Sequence, residues 1–119
     1  NVSAAADDAA DARLRRDIDI MARDWRVDSI KVDGCGPRGP MNVTYPKLGA
    51  LLNGTGRQIL FSCSWPVYGA LGPPCNGDLS TDECFPRELI AQSCSTWRVF
   101  KDIFDVYNLP GHAGVLQII

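Results

Sequence analysis

The chain has 119 residues, with 12 basic and 14 acidic side chains and a formal net charge of −2, a size that supports one domain. Its 45% apolar and 22% charged content excludes wholesale disorder, and the lack of a basic excess excludes a general nucleic-acid binder. No apolar run approaches the roughly 18 residues of a membrane helix, and no basic-then-apolar signal opens the sequence, which therefore reads as mature, cytosolic or incomplete.

Residues 1–16 (NVSAAADDAADARLRR) are rich in Ala, Asp and Arg, which predicts a solvated helix or loose polar arm ahead of a folded unit at 17–119. Ile18, Met21, Ala22, Trp25 and Val27 recur at three- and four-residue spacing, giving a helix with one apolar face. Residues 28–33 (DSIKVD) have strand length, and Gly34 ends them. Pro46 to Leu52 reads as a second helix stopped by Gly54 and Gly56, and residues 58–62 (QILFS) as a short apolar strand. A Gly/Pro-rich loop covers 63–85. Pro86 suits the first helical position of PRELIAQS, residues 96–100 read as a third strand, DIFDVY from Asp102 as the start of a helix, and 114–119 as a fourth strand. Candidate strands therefore begin near 28, 58 and 96 with helices between them, the rhythm of βα units on a parallel sheet. The fold class is α/β, either an open doubly wound sheet or a closed barrel. No Gly-x-Gly-x-x-Gly or Walker sequence follows a strand, which disfavours a nucleotide-binding sheet. Apolar strands such as QILFS suit a sheet covered on both faces.

Five cysteines stand at 35, 63, 75, 84 and 94, none with Cys-x-x-Cys spacing, and there is a single His112. Disulfides are favoured over a metal site, and the odd count leaves at least one thiol over. Sequons at Asn1, Asn42 and Asn53, together with the cysteines, favour an oxidising, secretory or lysosomal setting.

Parallel βα architectures place chemistry at the C-terminal ends of strands. At the first strand end Lys31 and Asp33 share a face by strand alternation, and Val32 points away. The bland alternative is a structural ion pair. At the second, Cys63-Ser64-Trp65-Pro66-Val67-Tyr68 offers an aromatic wall suited to a sugar face, or simply a packed loop. At the third, Arg98 and Asp102 have the spacing of an ordinary helix-surface ion pair. Taken together, Asp33 and Asp102, flanked by Lys and Arg, supply the two carboxylates of glycoside hydrolysis, one as nucleophile and one as general acid/base. Lys31 would help keep Asp33 ionised, while Asp102 would need a raised pKa to hold its proton.

KVDGC at 31–35, YPKLGALLNGTGRQILFSCSWPVY at 45–68 and CSTWRVFKDI at 94–103 closely resemble the α-galactosidase and α-N-acetylgalactosaminidase family of melibiase-like retaining glycoside hydrolases, over about residues 17–103. The resemblance implies a partial (β/α)8 barrel, about half of it, comprising middle and later strands. It implies Asp33 as nucleophile, Asp102 as acid/base, and Lys31, Arg98 and Tyr68 as sugar contacts. It further implies a Cys63–Cys94 disulfide and glycosylation at Asn53, with Asn42 as an additional sequon. Ser64 and Val67 match the positions that read the sugar's 2-substituent. Ser64 fits the acetamido type and Val67 is intermediate in size, which favours α-N-acetylgalactosaminidase over α-galactosidase. The implied substrate is a terminal α-galactoside or α-N-acetylgalactosaminide of a glycolipid, glycoprotein or oligosaccharide. The resemblance calls for no metal or cofactor, is compatible with a homodimer of the full-length protein, and implies a lysosomal or secreted location.

The sequence also departs from the family. The family partner of Cys35 lies upstream, so Cys35 is the leftover thiol. Cys75 and Cys84 match nothing in the family and pair most simply with each other, the alternative being two free, exposed thiols. DVYNLPGHAGVLQII follows Asp105 where a longer helix and an Asp-Pro-Asp-Met segment would stand, so His112 reads as a loop residue. The first strands and their paired aspartates are missing. A barrel of this kind needs about 250 residues. The alternative is therefore a non-catalytic truncated or divergent relative with a structural or carbohydrate-binding role.

Overall fold

The computed structural model describes residues 2–34, 40–70, 74–100 and 102, without the side chains of 2–8, 69 and 70. Helix α1 (Val2–Asp19) runs without a break across position 16/17 into a π-helical turn, Ile20–Asp24, closed by Trp25 N–H donating to the Ile20 carbonyl at 2.9 Å. Ile18 and Ala22 are buried as the spacing predicts, but Trp25 is 70% exposed. The π turn adds a residue to the turn and rotates Trp25 off the apolar face. Strand β1 (Ser29–Val32) follows.

Helix α2 (Met41–Gly54) begins five residues before the predicted start, with Pro46 inside it. A proline there leaves the carbonyl four residues earlier without its donor. Tertiary burial compensates, because Tyr45 in the same turn is fully buried, stacked between Phe61 and Trp65 at 6.1 and 5.9 Å between ring centres. Its hydroxyl donates to the Val32 carbonyl at 3.2 Å, joining α2 to the end of β1. Burial pushes the Tyr45 phenol up to about 12.

Strand β2 (Leu60–Cys63) leads into helix α3 (Trp65–Ala70), a turn of helix inside the segment predicted to be all loop. Helix α4 (Arg87–Ser93) has Pro86 just ahead of its first residue, and β3 (Thr96–Trp97) is shorter than predicted. The helix from Asp102, the strand at 114–119, Cys35 and His112 lie outside the described residues, Asp102 itself excepted.

The three strands form one parallel sheet in the order β1-β2-β3, with Ser29 opposite Leu60 and Ser62 opposite Thr96. α2 connects β1 to β2, and α3 and α4 connect β2 to β3, so the expected βα rhythm is present. The core lies on the helix side of the sheet, where Ile18, Tyr45, Leu52, Phe61, Cys63, Trp65, Ile90 and Cys94 cluster. Among the described residues the other face of the sheet is left open, unlike the expectation of cover on both faces. Leu60 is 45% exposed and Lys31 is exposed, while their strand neighbours Phe61 and Val32 turn to the core. Two further contacts lock the layers. Gly49 lets α2 approach the backbone of α4, since a Cβ there would lie 2.4 Å from the Ser93 carbonyl oxygen. Arg57 donates from Nη1 to the carbonyls of Ala22 (2.8 Å) and Val27 (3.3 Å), tying the end of the π turn to the entry of β2.

Candidate active site

Strand order brings the ends of β1, β2 and β3 side by side. β2 in the middle carries the backbone that fixes its neighbours. Ser64 N–H donates to the Val32 carbonyl at 3.2 Å, and Arg98 N–H donates to the Cys63 carbonyl at 2.9 Å. The Cys63–Cys94 disulfide then ties the end of β2 to the end of α4 just before β3, with both cysteines buried. Cys75 and Cys84 also pair with each other, closing the loop between α3 and α4.

Asp33 is the residue after β1 and is half-buried. Its Oδ1 accepts the Gly34 N–H at 2.8 Å. The Tyr68 phenol beside it is the largest influence holding the Asp33 carboxyl below the usual carboxylate range. The Gly34 amide adds to this, and the charges of Lys31 and Arg98 act in the same sense. The same contact raises the Tyr68 pKa.

Tyr68 also meets Arg98. Arg98 Nη1 donates to the Tyr68 hydroxyl at 3.3 Å, and the guanidinium carbon lies 5.4 Å from the ring centre. Arg98 Nε donates to the Phe100 carbonyl at 2.6 Å, and its Nη2 pairs with Asp102 Oδ1 at 2.9 Å. The Arg98–Asp102 pair is therefore part of a strand-end loop, not a helix surface. The Arg98 side chain is 18% exposed and that of Asp102 76%. A polar path thus lines the three strand ends: Arg98 joins Tyr68 to Asp102 by direct contacts, and the Tyr68 phenol acts on the Asp33 carboxyl.

Ser64 and Val67 flank Trp65 and Pro66 at the start of α3. Both are buried, and the Ser64 hydroxyl has no hydrogen-bond partner among the described residues. An unpartnered buried hydroxyl is costly, so Ser64 marks a place where a polar group is wanted. Asn42 and Asn53 are exposed on α2. Asn42 stands with Met41, Trp65, Tyr68, Asp82 and Glu83 on a cleft of about 460 Å³. Among the described residues no group of three metal-ligating side chains converges, and no helix is long and apolar enough to cross a membrane.

Sequence reasoning placed Asp33, Lys31, Arg98, Asp102 and Tyr68 at strand ends and missed Gly34 except as a strand terminator. Its signal was its position directly after a polar residue at a strand end, where backbone approach is tight.

Comparison with known proteins now bears on this arrangement. Residues 10–113 match the family model described as "Alpha galactosidase A". The chain belongs to the alpha-galactosidase A family. It is 44% identical to rat alpha-N-acetylgalactosaminidase over 87 residues, covering 71% of this chain and 19% of the relative. Chicken alpha-N-acetylgalactosaminidase is 37% identical over 98 residues, covering 81% and 22%. Human alpha-galactosidase A is 38% identical over 95 residues, covering 77% and 20%. The chain thus spans about a fifth of the length of the curated relatives it matches. The family is one of glycoside hydrolases, and three parallel strands with crossover helices form part of an α/β architecture that fits it.

Proposed function

We propose that this chain carries the two catalytic carboxylates of a retaining α-glycosidase that removes terminal α-linked N-acetylgalactosamine or galactose from glycoconjugates. In the complete protein the strands would belong to a (β/α)8 barrel, of which this chain supplies about half. The observation that carries the reading is the Asp33–Tyr68–Arg98–Asp102 path at the strand ends. Asp33, held ionised, attacks the anomeric carbon. The bond to the leaving oxygen breaks, and Asp102 gives that oxygen its proton. The resulting glycosyl ester on Asp33 is attacked by water, which loses a proton to Asp102, and the Asp33–sugar bond breaks with net retention. Retention calls for the carboxyl groups to sit roughly 5–5.5 Å apart. For Asp102 to act as an acid, its contact with Arg98 must give way to the leaving oxygen as substrate binds.

Lys31, Arg98 and Tyr68 would hold sugar hydroxyls. Ser64 would meet the 2-acetamido group and Val67 would limit its space, once the pocket uncovers both side chains. The mechanism needs no metal or cofactor. The two disulfides support a secreted or lysosomal location, where Asn42 and Asn53 would carry glycans, and the full-length protein is compatible with a homodimer.

A second reading has its own support. The matched length is about a fifth of the relatives, and apolar Leu60, Val99 and Phe100 are exposed beside the sheet. On this reading the protein is a non-catalytic truncated or divergent relative, inactive at any length, that keeps a structural or carbohydrate-binding role. Turnover of chromogenic α-N-acetylgalactosaminide and α-galactoside by residues 1–119, by the full-length protein and by its Asp33→Asn variant separates the two. Activity only in the full-length protein, abolished by Asp33→Asn, is expected. Turnover that survives the substitution overturns the nucleophile assignment.

A further inference from the structure

Gly34 follows the proposed nucleophile directly. A Cβ on Gly34 would lie 2.6, 2.7 and 2.8 Å from Cδ2, Cγ and Cε2 of Tyr68. The ring of Tyr68 therefore occupies the volume that any other side chain would need. Backbone conformation does not explain the glycine, because Gly34 lacks the positive φ seen at Gly56 (74°) and Gly77 (90°). The ring cannot turn aside without giving up its own contacts. It also sits against the Arg98 guanidinium and accepts its Nη1–H at the hydroxyl. Arg98 in turn is fixed by its backbone bond to Cys63, its Nε bond to the Phe100 carbonyl and its pairing with Asp102.

We propose that Gly34 is a positioning residue for the reaction at Asp33. By lacking a Cβ it seats the Tyr68 ring on the backbone and so delivers the phenol between Asp33 and Arg98. The inference rests on the glycosidase reading above. A larger residue at 34 pushes the ring outward, withdraws the phenol from Asp33 and loosens the Arg98 contact together. The lowered Asp33 pKa, whose leading cause is Tyr68, gives the displacement a chemical readout distinct from simple unfolding.

The test is a double-mutant cycle in the full-length enzyme, using Gly34→Ala, Tyr68→Ala and both together. kcat and KM are measured against pH on a chromogenic α-N-acetylgalactosaminide. Withdrawing the phenol from a charged carboxylate and loosening two proposed sugar contacts predicts that Gly34→Ala lowers kcat/KM by about ten- to a hundredfold, with kcat falling as well as KM rising. The acidic limb of the kcat/KM profile moves to higher pH. Because Gly34 acts through the ring, the double variant is no worse than Tyr68→Ala alone. If Gly34→Ala fails to fold, circular dichroism of the double variant decides, and recovery of the fold on removing the ring supports the contact. Additive losses, an unshifted acidic limb, or a double variant that also fails to fold overturns the proposal. Those results leave the glycosidase reading intact if Asp33→Asn is inactive. A folded wild-type enzyme without turnover removes both.

Discussion

The contact between α2 and α4 makes an unusually clear prediction about sign. Gly49 lies inside α2, where replacing glycine by alanine normally stabilises a helix by about 1 kcal/mol. Here the new Cβ would lie 2.4 Å from the Ser93 carbonyl oxygen, whereas ordinary contact begins at 3.4 Å. One helix must therefore move by about 1 Å. The obstacle is backbone, and it is anchored: Ser93 Oγ donates to the Leu89 carbonyl at 2.6 Å, and the adjacent Cys94 is bonded to Cys63. Overpacking of this kind costs about 1–3 kcal/mol against a helix gain of about 1 kcal/mol, so Gly49→Ala should destabilise by up to about 2 kcal/mol net. Gly54 at the end of the same helix meets nothing within 4 Å and provides the comparison. Gly54→Ala should leave stability unchanged or raise it by up to about 1 kcal/mol. The assay is the urea unfolding midpoint of the full-length protein with its disulfides oxidised. A Gly49→Ala midpoint at or above that of Gly54→Ala would refute the close approach of the two helices.

Other outcomes follow from the same contacts. Cys63 and Cys94 close a loop of 31 residues, so Cys63→Ser/Cys94→Ser should cost about 4 kcal/mol by loop entropy. The Cys75–Cys84 loop of 9 should cost about 2.5 kcal/mol by the same relation, read as two different shifts of the unfolding midpoint. The Asp33 carboxyl is held below the usual carboxylate range in the folded state, so its contribution to stability is present above that range and fades as pH falls through the lowered pKa. The acidic limb of kcat/KM should accordingly lie below the ordinary carboxylate range and move up in Tyr68→Phe. An unmoved limb would remove Tyr68 as its cause. Tyr45, raised to about 12, is neutral in the fold at a pH where the unfolded residue ionises. Stability should therefore fall between about pH 10 and 12. Ultraviolet titration of wild type against Tyr45→Phe would show one late phenol lost, and a missing phenol that titrates near 10 would contradict its burial.

Much of the architecture was legible because it rests on local pattern. The runs expected as strands at 28–33 and 58–62 overlap Ser29–Val32 and Leu60–Cys63, and Pro86 stands at the edge of α4. Errors arose where tertiary contacts override local preference. Tyr45 burial draws the helix back past Pro46, the π turn rotates Trp25 into solvent, and Trp65 and Val67 bury a helical turn inside a Gly/Pro-rich segment. At the site, alternation in β1 put Lys31 beside Asp33, and the motifs pointed to Arg98 and Asp102. The Tyr68 bridge and the need for glycine at 34 depend on distances across three strand ends, which no local spacing encodes. Burial of Ser64 and Val67 was likewise invisible, since it depends on how α3 seats against Tyr45 and the sheet.

In the proposed mechanism Asp33 forms a covalent bond to the sugar. A slowly turned-over fluorinated α-glycosyl fluoride, incubated with the full-length protein and followed by peptic digestion and mass spectrometry, tests it most directly. One glycosylated peptide containing Asp33 is expected, absent from Asp33→Asn and lost on incubation as water completes turnover. A label on any other residue, or continued hydrolysis by Asp33→Asn without a trapped adduct, would contradict it.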